Sequence, residues 1–219
     1  MLVVVLSGLL AGLVHVLSGP DHLAAVAPLA AAGRGGWRTG ARWGLGHVAG
    51  VLLVGLLALA LRGILPVERV SGWSERLVGL VLIGIGAWGL FRAWRGRVHA
   101  HGHTHDGHGH VHVHLHEGHA PPAVAHAHIH AAFAVGVVHG LAGSSHILGV
   151  LPALALPFAQ GATYLVAFGI GTVAAMAGFS EALGHLAGRA AARGTDLYRG
   201  LMATTGAAAI LVGIYWLFS

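Results

Sequence analysis

The sequence has no cysteine and no lysine, and only 9% of its 219 residues are charged. Without cysteine, disulfides and thiolate ligands are excluded, so any metal site must use histidine, carboxylate, hydroxyl or backbone oxygen. A soluble domain carries roughly 25% charged residues because its surface faces water. This chain cannot cover such a surface. Its 56% hydrophobic residues and mean hydropathy of +0.76 suit an exterior in lipid. The formal charge of +5 comes from twelve arginines set mostly in short links between apolar runs. There they read as topology signals, and with no basic patch interleaved with exposed aromatics a nucleic-acid partner is not expected. No Gly-Lys-[Ser/Thr] phosphate loop is present, which argues against a nucleotide-driven pump. No basic residue precedes the first apolar run, and a similar segment recurs in mid-chain, so Met1 to Leu17 reads as a spanning helix rather than a signal peptide.

A crossing helix needs about 20 apolar residues. Six candidates follow, at roughly 2–31, 40–62, 74–94, 131–157, 161–187 and 198–218. The expected fold is all-α, a polytopic membrane protein of six transmembrane helices. A repeat runs through it. Gly12-Leu-Val-His15 and Asp21-His22-Leu match Gly136-Val-Val-His139 and Ser145-His146-Ile; Gly44-Leu-Gly46-His47-Val-Ala49 matches Gly169-Ile-Gly171-Thr172-Val-Ala174. The third spans match weakly, through the Gly-x-x-x-Leu-Phe endings at Phe91 and Phe218. Three spans per copy is odd, so the copies are expected to be inverted, with broken first helices, as in secondary transporters. The expected units are 1–94, a histidine-rich link at 95–130, and 131–219. Nine arginines on one set of links against three on the other put both termini outside and the histidine-rich link in the cytoplasm.

Ionisable groups inside hydrocarbon are expensive and default to function. His15, Asp21, His22, His139 and His146 are the main candidates for metal ligation, with His47, Glu181 and His185 as further ones. Imidazoles with one or two carboxylates suit a borderline-soft divalent ion rather than Mg²⁺ or Ca²⁺. In a straight helix His15 and His22 would stand about 10 Å apart along the axis, too far for one ion. Ser18-Gly19-Pro20 between them offers a break that folds His22 and Asp21 back toward His15. Glu181 and His185, four residues apart, also read as a simple surface pair.

Thirteen of the nineteen histidines lie between His99 and His130. Histidine tracts bind divalent metals with modest selectivity. His99, His101, His103, His105, His108, His110, His112, His114, His116 and His119 are therefore expected to form a cytoplasmic metal-binding loop, an antenna, buffer or sensor outside the translocation site.

The His15…Asp21-His22 element resembles the His-x4-Asp-His signature of the nickel/cobalt transporter superfamily (NiCoT and NicO). The run Gly19-Pro20-Asp21-His22-Leu23-Ala24 is most similar to its short six-span branch, the urease-accessory-type nickel permeases. Here five residues, not four, separate His15 from Asp21. The resemblance implies that His15, Asp21 and His22 are the metal-binding signature and that His139 and His146 are their counterparts. It also implies a cell inner membrane location.

The expected function is gradient-driven transport of Ni²⁺ or Co²⁺, with Zn²⁺ or Cu²⁺ also compatible, as substrate and without a permanent cofactor. Expected partners are the lipid bilayer, the metal ion, a cytoplasmic metallochaperone or metalloenzyme-maturation protein, and further copies of the chain through its Gly-rich spans. Two alternatives stay open. One is an intramembrane metal-dependent hydrolase or oxidase in which Ser144 or Ser145 helps polarise a substrate. The other is a membrane metal sensor resting on the histidine tract.

Overall fold

The computed structural model describes the backbone of the chain except 33–35, 61–66, 96–97, 106–107, 116–122, 143–144 and 219; the side chains of 54–72, 74, 98–105, 108–115, 123–131, 145–148 and 154 also lie outside the description. The described chain is helical. It runs α1 (Leu2–Ser18), α2 (Pro20–Ala31), α3 (Trp37–Ala60), α4 (Val67–Arg95), β1 (Val98–His105), β2 (His108–Leu115), α5 (Ala123–Leu141), α6 (Ser145–Leu154), α7 (Phe158–Arg193) and α8 (Thr195–Phe218).

Among the described residues three stretches are long and apolar enough to cross a membrane: Glu75–Arg95 of α4, α7 and α8. The bent pair α1–α2 makes a fourth. Six spans are not reached among the described residues, which leave out the side chains of 54–60 in α3 and of 123–131 in α5. α6 stops after 10 residues, well short of the roughly 30 Å hydrocarbon core, and the first half of α5 carries His126, His128 and His130. Helix ends also depart from the expected boundaries. α4 begins at Val67 rather than 74, and the 36 residues of α7 run from Phe158 to Arg193 rather than 161–187. Hydropathy finds the apolar part of a helix, whereas helical hydrogen bonding continues into polar flanks. α5 reaches back to Ala123, inside the stretch expected to be a loop.

Within the histidine-rich link β1 and β2 pair antiparallel, in a register that sets His99 opposite His114, His101 opposite His112, His103 opposite His110 and His105 opposite His108. Strict His-x alternation matches the two-residue period of a strand.

α1 turns the amphipathicity of a soluble helix inside out. Gly8, Gly12 and Val16 are buried, while Leu6, Leu10 and Leu17 are 55–60% exposed. A Cβ at Gly8 or Gly12 would fall on the Tyr164 or Phe168 carbonyl of α7, so glycine here permits the backbone approach that membrane helix pairs use.

These glycine contacts relate the two halves. Gly12 lies against the Phe168 carbonyl and the Thr172 amide, and Gly136, its match in the repeat, lies against the Trp43 carbonyl and the His47 amide. Phe168 and Thr172 occupy in the second copy the places of Trp43 and His47 in the first. Gly171 packs on Leu9 as Gly46 packs on Phe133, and α4 meets α8 through Gly79 against Gly213 and Gly86 against Gly206. Residue order along the contacts makes α1 parallel to α7, α3 parallel to α5, and α4 antiparallel to α8. Exchanging the halves turns each contact into another, as an approximate two-fold axis requires. Val16, Ala25, Val26, Trp43, Leu82 and Met176 fill the core between these pairs.

Candidate metal centre

Pro20 has no N–H to donate and its ring obstructs the turn before it, which ends α1. The same residue suits the first position of α2. Gly19 forms the joint, with extended backbone (φ −92°, ψ 101°), and the two helices meet at 73°. The bend removes the spacing problem: the rings of His15 and His22 lie 4.6 Å apart, centroid to centroid. Gly19 is needed for space rather than for its dihedral angles, because a Cβ there would strike His22 Nδ1 and approach Asp21 Oδ1 to 2.9 Å. Asp21 sits in the first turn of α2, where the helix dipole favours an anion.

α3 and α5 complete the cluster. His47 projects from α3, and its Nε2 lies 3.3 Å from His15 Nε2. His139, in the last turn of α5, has its Nε2 2.9 Å from Asp21 Oδ2, while Asp21 Oδ1 faces His22 Nδ1 at 3.1 Å. Asp21, His22, His47 and His139 are buried; His15 is partly exposed. The donors form two groups, His15–His22–His47 and Asp21–His22–His139, each with its ligand atoms within 4.8 Å of one another. Two nitrogens bound to a tetrahedral ion at 2.0–2.1 Å stand about 3.4 Å apart. The separations of 3.3 and 2.9 Å are therefore already close to ligand spacing. Four imidazoles and one carboxylate form a donor set for a borderline divalent transition ion.

Aromatic rings wall the cluster. Trp43, one turn before His47, stacks on that ring at 5.1 Å and 8° and lies 5.1 Å from His139. Phe168 lies 5.4 Å from His15. Trp43 and Phe168 match in the repeat, as do His139 and His15, so the two contacts exchange with the halves. Neither aromatic was expected at the site. Their signal was available in the four-residue step from Trp43 to His47, repeated from Phe168 to Thr172.

Glu181 and His185 do not join the cluster. Glu181 Oε2 accepts the backbone N–H of Trp37 at 2.6 Å, at the start of α3, and His185 Nε2 is 3.5 Å from Glu181 Oε1. His185 is 67% exposed. The pair anchors a helix end: Ser180 Oγ donates to the carbonyl of Gly36, whose φ of +49° requires glycine. The side chain of His146 lies outside the described residues, as do those of His99, His101, His103, His105, His108, His110, His112, His114, His116 and His119.

No protein-family model and no solved structure matches the chain. Two curated proteins of Arabidopsis thaliana do. Chloroplast protein FOR GROWTH AND FERTILITY 2 is 40% identical over 164 residues, which is 73% of this chain and 41% of that protein. Chloroplast protein FOR GROWTH AND FERTILITY 1 is 42% identical over 164 residues, 73% of this chain and 44% of that protein. The chain thus spans about two fifths of the length of these relatives. They overturn two expectations. The likeness to nickel/cobalt permeases gives way to likeness to chloroplast proteins, and the cell inner membrane location goes with it. The physical reason lies in the short motif. Ligands placed around one helix break constrain only a few residues, and the step from His15 to Asp21 already departed from the permease pattern. An alignment of 164 residues constrains a whole fold.

Proposed function

We propose that this chain is a secondary transporter that carries a dehydrated divalent transition-metal ion across a membrane through the cluster of His15, Asp21, His22, His47 and His139. One observation carries it: five potential ligands from α1, α2, α3 and α5 converge at a broken helix inside the helical bundle. Ionisable groups inside a membrane bundle mark substrate pathways. A site on a discontinuous helix between two structurally related halves is a transporter architecture. The exchange of contacts between halves, with α1 parallel to α7, α3 parallel to α5 and α4 antiparallel to α8, supports six crossings in two inverted units. The substrate is of the imidazole-preferring class, Ni²⁺, Co²⁺, Zn²⁺ or Cu²⁺. The relatives are named as chloroplast proteins and this chain carries apolar helices long enough to cross a bilayer, which together support a chloroplast membrane as the setting. The enzyme alternative drew on Ser144 or Ser145, and neither side chain is among the described residues.

Radiometal flux into proteoliposomes tests this. Asp21→Asn and His139→Ala should each lower Ni²⁺ or Co²⁺ flux by at least about tenfold, the lower end of what disturbed metal sites lose. Wild-type flux in both variants would overturn the proposal.

A further inference from the structure

The five ligand residues are not one polyhedron. His22 belongs to both groups of three, whereas His15 and His47 belong to one and Asp21 and His139 to the other. The groups differ in chemistry and in access. The first is three neutral imidazoles, and its member His15 is partly exposed. The second contains the only carboxylate of the five, and all of its members are buried.

Resting on the transport reading above, we propose that the substrate ion occupies these two positions in turn, with His22 as the ligand that stays while the others are exchanged. His15, His22 and His47 form the access position; Asp21, His22 and His139 form the occluded one. A neutral imidazole has one N–H and one nitrogen able to ligate. Nδ1 of His22 lies 3.1 Å from Asp21 Oδ1, so His22 serves the access position through Nε2. There Nδ1 keeps its proton and donates to Asp21, the arrangement in which a carboxylate orients a metal-bound histidine. In the occluded position the ion lies between Asp21, His139 and Nδ1, and the proton resides on Nε2. Passage breaks the metal–Nε2 bond of His22 and forms a metal–Nδ1 bond; His22 loses its N–H at Nδ1 and gains one at Nε2, while His139 loses the N–H that its Nε2 directs at Asp21 Oδ2 and gains one at Nδ1. No net proton or electron is consumed. One ring cannot serve both positions at once in its neutral form, so the cluster holds one ion at a time.

Co²⁺ binding to the full chain in detergent tests this, with bound metal counted after equilibrium dialysis and the ligand field read from the visible Co²⁺ bands. Ions held by the histidine-rich link cancel when variants are compared with wild type. His22→Ala should lower the count by one. The pairs His15→Gln/His47→Gln and Asp21→Asn/His139→Gln should each leave the count unchanged. Each pair should nevertheless shift the bands and lower flux by at least about tenfold. If each pair lowers the count by one and His22→Ala lowers it by two, the positions fill simultaneously and the alternation is wrong. Asp21→Asn keeps the shape of the side chain; unchanged bands in that single variant would also overturn it. A count unaffected by His22→Ala would sink the alternation together with the transport reading, whereas the two-ion result would leave transport standing.

Discussion

Gly19→Ala offers a way to damage the metal centre without breaking the fold. The backbone at Gly19 (φ −92°, ψ 101°) lies in a region open to any L-residue. The three atoms nearest the added methyl all belong to side chains: His22 Nδ1, Asp21 Oδ1 and His22 Cε1. To clear it, His22 must rotate. Driving that ring about 30° off its rotamer costs about 0.5–1.5 kcal/mol. Losing its hydrogen bond to the Asp21 carboxylate removes about 1.5–3 kcal/mol more. Together this is about 2–4.5 kcal/mol, or roughly 30- to 1600-fold in metal affinity at 1.4 kcal/mol per decade. The metal-free fold carries the same strain, so stability should fall too, by up to about that amount less the roughly 0.4–1 kcal/mol that replacing glycine at a compatible backbone position returns. Competition titration of Co²⁺ against a chelator, beside thermal unfolding in the same detergent, reads both quantities. Unchanged affinity would refute the placement of His22 at the centre. A fall in stability well beyond that amount would refute the claim that Gly19 serves the site rather than the joint.

Gly12→Val and Gly136→Val should destabilise the chain by similar amounts, each at least about 1–3 kcal/mol, because each drives a side chain into a carbonyl of the facing helix; a thermal shift in only one of them would contradict the paired contacts. Trp43→Ala should lower stability by about 3–5 kcal/mol and weaken metal binding, while Trp43→Phe should recover most of both in the same unfolding and titration assays, since Phe168 fills the matching place. Glu181→Ala should remove about 0.5–2 kcal/mol through the lost acceptor for the Trp37 N–H and leave Co²⁺ affinity unchanged; Glu181→Gln should recover the stability, and a metal-binding defect in either would return Glu181 to the site.

How far the sequence discloses this arrangement varies with the physics. The break at Gly19-Pro20 is legible because proline acts locally, through its missing donor and its ring. The convergence of His15 with His22 follows from that break alone. The addition of His139 to Asp21 rests on the sequence repeat, a longer-range clue. His47 and Glu181 looked alike in the sequence, each an ionisable residue in an apolar stretch. Only the packing of α3 against α5 and of α7 against the start of α3 separates a buried ligand from a helix anchor. The paired strands of the histidine tract went unforeseen because cross-strand pairing is a non-local choice. Among the described residues the span count stops short of six: α6 is only 10 residues long, and the part of α5 with described side chains is Ala132–Leu141.

The scaffold is close to two-fold, yet the metal centre is lopsided. Where the first copy carries Asp21 and His47, the second carries Ser145 and Thr172. Thr172 is as fully buried as His47, so the place was kept and its ligand was not. Had both copies retained the full set, the exchange of contacts that pairs Gly12 with Gly136 would have built a second cluster related to the first by the same axis. Replacing an imidazole and a carboxylate with hydroxyls removes the charge and the strong nitrogen donor while preserving a small polar surface. His139 alone of the described second-copy candidates crosses over, to Asp21. Under the proposed transport, an ion bound there would have one set of ligands to leave and a chemically different one to meet. In the proposed transporter, that asymmetry would give a duplicated frame a path with two ends.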